Sequence, residues 1–515
     1  MALSSRPDRP NVVLVVTDQQ RYDTIRCLGN DLIHTPHLDR LCAEGTAFGR
    51  TYCTNPLCSP SRSSLLTGLL PSQHGCWNVG VPLSPAVPTL PTLLAAQGYR
   101  TAAVGKLHLE PCLAPGSPEA PPRIYDWEHF RRWHGPYHGF ADCHLAIGHT
   151  REPHAAGMHY GLWLREQGVD VPAHFGGPPS HVPAPAGGDE GAWSLPAEFH
   201  NSRWAVDTAL HALERLADGE RPFLLWLGLQ DPHMPFVAPQ PWFYAYRDAP
   251  LPLPLADPAD LASKPEVYRA AWEGRLQGLG LGDRFGIPGV AEIDHRTITP
   301  ARARARIAAY YAMIGLLDHH LGRLLDALEG LRLSERTLLV FTSDHGELLG
   351  HHGLWGKGPF HTEDTLRVPL VARWPGVIPA GRRSMALQSL ADLVPTLLRA
   401  AGAEPPPGLA GCDQWPVWSG RVDAARRAAL VENRVSDRLY LKTLVTERHK
   451  LTLHLRGDGG WSAGDGEFYD LVADPAERVN RWTRGPDDEA RALLCALLAT
   501  QCGLEPPPPP RLAYA

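Results

Sequence analysis

The apolar positions of this chain fall into short unbroken runs separated by stretches of helical period. The run NVVLVVT (11–17) is followed by a polar segment and by HLDRLCAEG, which reads as a helix. TLPTLLAAQG reads as a second helix and leads into the strand RTAAVG. The helical RWAVDTALHALERLADG precedes a buried strand, FLLWLGLQ (223–230). In RIAAYYAMIGLLDHHLGRLLDALEG, apolar residues at 307, 311, 314, 317, 321, 325 and 328 form one helical face. TLLVFTS (337–343) follows as another buried strand. Apolar runs of strand length, alternating with helices, suit a sheet covered on both faces. The predicted fold is α/β, a doubly wound and mostly parallel sheet flanked by helices.

Elsewhere the pattern changes. Residues 111–200 are rich in Pro, Gly, His and Trp, and 237–300 are Pro- and Asp-rich with weak periodicity; both read as insertions. From about 425 the chain turns to short strands, in RAALVENR, LYLKTLVTERHKLTLHL and GEFYDLV. This predicts a domain over 1–425, a small antiparallel α+β domain over 426–500, and a Pro-rich arm over 501–515. A length of 515 residues, too great for one core, agrees with that division.

Composition narrows the partners. The net charge is −6 and no Lys/Arg block stands out, so neither nucleic acid nor an anionic membrane surface is expected. NVVLVV is too short for a signal-peptide core and nothing approaches membrane-spanning length. Ten scattered cysteines without a C-x-x-C pair read as reduced thiols, and the expected location is cytoplasmic. A homo-oligomer is the expected assembly.

Ligands of open α/β sheets bind beyond the carboxyl ends of the strands. Asp18 and Gln19 follow the first strand, and Lys106 to His108 follow TAAVG. Asp231 to His233 follow FLLWLGLQ, Asp344 and His345 follow TLLVFTS, and Lys357 comes soon after. Singly, each has an ordinary reading, as a helix cap, a structural histidine or a solvated lysine. Jointly, two carboxylates, an amide oxygen and an imidazole suit one divalent cation of intermediate hardness.

CSPSRSSLLTG (58–68) adds an anion-friendly element. Ser59 reads as an N-cap, Pro60 as the first helical residue and Gly68 as a C-cap. Cys58 then lies at the positive end of a short helix, with Arg62 one turn in. A cysteine-phosphatase loop would need Cys and Arg six positions apart; here they are four apart. H-E-x-x-H, G-x-S-x-G and phosphate-loop signatures are missing.

These residues resemble a family. C-S-P-S-R-x-x-L-x-T-G is similar to the C-x-P-S-R signature of type I sulfatases in the alkaline phosphatase superfamily. The likeness continues through G-K-x-H (105–108), the D-P-H at His233, S-D-H-G-E (343–347) and the L-W-G-K at Lys357. HGCWN (74–78) and GEFYDLVADPAERVN extend it to about residue 480. The resemblance implies that Cys58 is oxidised to formylglycine by an enzyme reading C-x-P-x-R, and that its hydrate is the nucleophile. It implies that Asp18, Gln19, Asp344 and His345 hold the metal with residue 58. Arg62, Lys106 and Lys357 would stabilise charge, His233 would serve the leaving oxygen, and His108 would take a proton from the second hydroxyl. Asn78 would contact the substrate. Many members carry Asp-Asp and Asp-Asn where this chain has Asp18-Gln19 and Asp344-His345. That variant looks like the choline-sulfatase and phosphonate monoester hydrolase branch, and makes Mn²⁺ a rival to Ca²⁺. Retention of Lys106 and His108 favours a small sulfate ester as substrate. A phosphonate monoester or phosphodiester hydrolase is the alternative, and an unmodified anion-binding protein a third reading. The aromatic YDWEHFRRWHGPYHGF reads as packing or subunit contact ahead of a cage for the substrate's alcohol.

Overall fold

The computed structural model describes residues 9–148, 152–175, 190–279, 281, 294–436, 439–455, 461–484 and 511–512. The first strands are β1 (Asn11–Thr17), β2 (Thr46–Tyr52), β3 (Arg100–Lys106), β4 (Asp142–Ala146) and β5 (Glu190–Trp193). Next come β6 (Phe223–Gly228), β7 (Phe236–Pro239), β8 (Thr337–Ser343), β9 (Arg367–Val368), β10 (Leu370–Arg373) and β11 (Arg382–Ser389). The last four are β12 (Ala428–Arg434), β13 (Tyr440–Thr446), β14 (His449–Leu455) and β15 (Trp461–Asp470).

The main sheet runs β11-β2-β10-β8-β1-β6-β3-β4, and β9 pairs with β2. β1 is parallel to β6 and β8, β3 to β6 and β4, and β11 to β2. Among the described strands of this sheet, only the short β9 and β10 run the other way. The predicted α/β sheet is therefore the observed one. Its central strands are buried at every position because successive residues feed two separate cores. Val12, Leu14 and Val16 pack on one face with Trp226 and Val340. Val13 and Val15 pack on the other with Leu317, Leu321 and Leu324 of the long helix Pro300–Gly330. That helix begins six residues ahead of the predicted span, where Pro300 supplies a preset first turn and the Thr299 hydroxyl accepts from Arg302 N.

The stretch 111–200 is more than an insertion, for β4 pairs with β3 and extends the main sheet. Five residues with a half-exposed pattern are too few for the periodicity to reveal that. β5 and β7 pair in parallel, so the two predicted insertions meet in one small sheet. The aromatic run packs on itself: Trp133 stacks on His129 and His159, and Phe130 meets both Trp133 and His159 edge-on.

β12, β13, β14 and β15 form the expected antiparallel sheet in sequence order. Residues 485–510, where the helical part of the predicted α+β unit and most of the arm would fall, lie outside the described residues. Of the arm, Leu512 N donates to Gly80 O at 2.8 Å. None of the eight described cysteines forms a disulfide. No helix among the described residues is long and apolar enough to cross a membrane.

Candidate active site

The carboxyl ends of β1, β3, β6 and β8 lie at one edge of the sheet, and the helix Cys58–Thr67 ends its approach there. The helix starts at Cys58, with Leu57 as N-cap residue; Ser59 does not cap it, and its hydroxyl has no hydrogen-bond partner among the described residues. Asn55 explains the shift. Its side-chain oxygen accepts from Leu57 N at 2.9 Å, and Ser61 N closes onto Leu57 O, so the first turn forms two residues early. Gly68 ends the helix as expected, at φ 71° with its N–H on Ser64 O.

Close backbone approach places Lys106. Gly105 on β3 faces Gly228 on β6, and a Cβ on either would fall 2.0 Å or less from a carbonyl oxygen. The next residue, Lys106, then sends its ammonium to Asp18 Oδ2 at 2.6 Å. Arg62 joins both carboxylates, with Nε on Asp344 Oδ2 at 2.7 Å and Nη2 on Asp18 Oδ2 at 3.3 Å. All four of these side chains are fully buried. Burial alone would raise the Asp18 carboxyl, but the fixed cations Lys106, Arg62 and Lys357 hold it well below the usual carboxylate range.

Lys357 is the hub. Its ammonium donates to Cys58 Sγ at 2.9 Å, to His233 Nε2 at 2.8 Å and to His345 Nε2 at 3.1 Å. Each imidazole donates its other N–H to a backbone carbonyl: His233 Nδ1 to Met234 O at 2.6 Å, His345 Nδ1 to Gly346 O at 2.9 Å. The Nε2 lone pairs therefore face the cluster. Burial and the Lys357 charge keep His233 well below the ordinary histidine range, and burial takes His345 down to about 4. Burial and the neighbouring Lys106 keep His108 neutral in the same way. Burial, then the Asp18 charge, pushes the Cys58 thiol up to about 11, against the pull of Lys357 and Lys106.

The residues fit one divalent cation. Donor atoms of Asp18, Cys58, Asp344 and His345 lie within 4.8 Å of one another, all buried. Gln19 sits among them in the left-handed region at φ 67°, its N–H on Asp344 Oδ1 at 3.0 Å. Gln19 Oε1 is buried with no hydrogen-bond partner among the described residues, while Nε2 donates to Glu347. An amide oxygen without a donor, one residue on from Asp18, is of a type that a divalent cation accepts.

His108 follows the same edge, buried at φ 57°. Asn78 stands apart from this web: its NH₂ donates to Arg434 O at 3.0 Å and Val435 O at 3.3 Å. Two supporting residues escaped the sequence reading. Tyr310 of the long helix donates to Gln19 O at 2.6 Å and accepts from Arg21 N, fixing the strained turn. Glu347 accepts from Gln19, Leu349 N and Gly356 N, which ties the β8 loop to the Lys357 loop. Glu347 was visible as the last residue of S-D-H-G-E; Tyr310 carried no signal, since any buried helix face could hold a tyrosine.

This parallel α/β sheet gathers carboxylates, imidazoles and cations at the edge where ligands of such sheets bind, around a cluster that could hold a metal ion. The family model described as Sulfatase matches residues 10–403, and the model described as N-sulphoglucosamine sulphohydrolase, C-terminal, matches residues 350–500. The chain belongs to the sulfatase family of the alkaline phosphatase superfamily. It is 32% identical over 410 residues to the multifunctional alkaline phosphatase superfamily protein PehA of Trinickia caryophylli, covering 77% of this chain and 75% of that protein. It is 27% identical over 494 residues to a choline-sulfatase of Rhizobium meliloti, covering 94% and 84%. The solved phosphonate monoester hydrolase of Agrobacterium radiobacter superposes with a TM-score of 0.74 at 26% identity, covering 96% of this chain and 94% of that one.

Proposed function

We propose that this sulfatase-family enzyme hydrolyses small sulfate monoesters, using residue 58 as formylglycine and one divalent cation, Ca²⁺ or Mn²⁺. Asp18, Gln19, Asp344, His345 and residue 58 would hold that cation. The observation that carries the reading is the convergence of Cys58, Lys357, His233 and His345 on one buried point beside Asp18. A thiol raised to about 11 is a poor nucleophile at neutral pH, which argues against direct thiolate attack by Cys58. A formylglycine-generating enzyme acting on the unfolded C-x-P-x-R segment is the implied maturation partner.

The cation, when bound, supplies Lewis-acid charge to the transferring group. Cys58, once oxidised and hydrated, would offer one hydroxyl to attack sulfur, its proton passing to the adjacent Lys357 as that lysine gives its own to the leaving oxygen. It would also offer a second hydroxyl whose proton loss would free the sulfate. Arg62, Lys106 and Lys357 lie where charge on the transferring oxygens would be met by fixed cations. As the ester S–O bond breaks, the proton for the leaving oxygen comes from the Lys357–His233 pair. Lys357 is held charged, above its ordinary range, by Cys58, Asp18 and Asp344 despite burial, while His233 stays neutral. The ammonium can pass a proton through His233 Nε2. His108, kept neutral, is suited to accept the proton of the second hydroxyl. The aldehyde then reforms and water restores the hydrate.

Phosphonate monoesters are the second reading, favoured by the Asp18-Gln19 and Asp344-His345 pairs and by the structural neighbour. Mass spectrometry of the peptide containing residue 58, with parallel rates on aryl sulfate and phenylphosphonate monoester, tests both. The expected result is the aldehyde mass and the higher kcat/KM on sulfate. An unmodified cysteine with full activity would overturn the nucleophile; a higher rate on phosphonate would overturn the substrate.

A further inference from the structure

The loops that carry the candidate site are tied to one short stretch of the C-terminal sheet. Asn55, three residues ahead of Cys58, donates to Glu432 O at 2.6 Å. Asn433 Nδ2 donates to Gly358 O, next to Lys357, at 3.1 Å. Asn78 donates to the carbonyls of Arg434 and Val435. The end of β12 thus stands against two loops of the site and the loop of Asn78, and Arg434 is the cation at that end.

Among the described residues, no carboxylate pairs with Arg434. Its Nε is buried with no hydrogen-bond partner, and it makes no ion pair among the described residues. The guanidinium carbon lies 5.8 Å from the centroid of the Trp77 ring, and both residues are partly exposed. Other cations nearby and in the site are paired. Lys442 faces Glu432 at 3.4 Å, and Arg62 and Lys106 face Asp18 and Asp344. A planar guanidinium steadied on an indole, with donors unused, is arranged to receive a carboxylate or a second ester anion.

We propose that Arg434, held over Trp77, selects substrates whose alcohol portion carries a carboxylate or other anionic group. It acts against alcohols bearing a quaternary ammonium, which would meet like charge. The likeness to a choline-sulfatase therefore does not extend to the alcohol. This rests on the ester-hydrolase reading above for its place beside the reaction, and adds the recognition of the leaving group.

Two aryl sulfates that differ only by a meta carboxylate, together with choline sulfate, test it on the full chain and on Arg434→Gln and Arg434→Lys. The carboxylated ester should lead by about tenfold or more in kcat/KM, through KM, as one charge-assisted contact allows. In Arg434→Gln that lead should shrink to about twofold with the neutral ester unchanged, and Arg434→Lys should restore part of it. Equal rates on the two aryl esters in the wild-type chain, a lead that survives Arg434→Gln, or a preference for choline sulfate would overturn the proposal. Calorimetric binding of 3-hydroxybenzoate and phenol needs no turnover and separates the two readings. Tighter, Arg434-dependent binding of 3-hydroxybenzoate with no sulfate ester hydrolysed would sink the reaction and keep the recognition. Equal binding of the two alcohols would sink the recognition.

Discussion

Two buried polar networks divide the charged interior of this protein. At the carboxyl edge of the main sheet, Arg62, Lys106 and Lys357 surround Asp18 and Asp344, with neutral imidazoles between them. Where β14 and β15 pack on the rest of the chain, Lys450 pairs with Glu477 and Glu363. There Lys264 donates to Tyr469, and Glu467 accepts from Tyr268, Tyr469 and His454. In this second network each cation meets a carboxylate or a phenol, although Glu363 Oε1 and His361 Nε2 are buried with no hydrogen-bond partner among the described residues. The first is cation-rich, leaves Gln19 Oε1 without a donor, and aims three N–H groups of one lysine at a thiol and two lone pairs. A network whose cations are matched by carboxylates fixes a packing; one with an excess of cations is suited to an anionic ligand.

Four experiments press on that contrast. Cys58→Ala should lower kcat/KM on aryl sulfate by roughly 10⁴-fold or more, the scale of losing a nucleophile, with the melting temperature nearly unchanged. Retained activity would remove the central premise of the proposed function. Lys450→Met should show the opposite behaviour. It strands Glu477 and Glu363 in the interior and should cost about 3–5 kcal/mol in denaturant unfolding. Activity per folded molecule should stay at the wild-type level, and a collapse of kcat without loss of stability would show that the second network serves the reaction.

Gln19→Ala should weaken binding of Mn²⁺ or Ca²⁺ by about tenfold or more in direct metal titration, while Lys450→Met leaves it alone. Undiminished metal affinity would show that the orphaned amide oxygen faces something other than a cation. The smallest effect concerns pH. Burial takes His361, which meets Thr443 at the second network, down to about 3. Its folded value lies below the unfolded one, so the unfolded chain binds the extra proton as pH falls below about 6.5 and stability drops. His361→Gln should flatten that acid loss by up to about 2 kcal/mol between pH 6.5 and 5, read from unfolding curves. The raised carboxyls of Asp231 and Asp318, both near 7 through burial, oppose this trend in variant and wild type alike. An unchanged slope in His361→Gln would mean that this imidazole already accepts a proton in the folded protein.

Sequence alone determined the elements and the edge. Unbroken apolar runs such as NVVLVVT and TLLVFTS can be satisfied only by burial on both faces, so a parallel sheet and its ligand-binding end followed from local pattern. The residues after those runs were legible as chemistry because strand ends deliver their next side chains to one place. Tertiary structure alone decided the rest. β4 joined the sheet although five half-exposed residues carry no distinctive period, because β3 offered it a free edge. Asn55, not Ser59, set the first turn of the cysteine helix, since its bond to Leu57 N fixes the chain before the helix begins. Tyr310, 291 residues from Gln19 in sequence, holds the strained turn of that ligand, a contact that no local pattern encodes. Which lone pair of His345 faces the cluster was likewise decided by a neighbouring carbonyl, Gly346 O. Residue types and spacings reveal what chemistry a chain carries; only long-range packing fixes the hydrogen bonds that orient it.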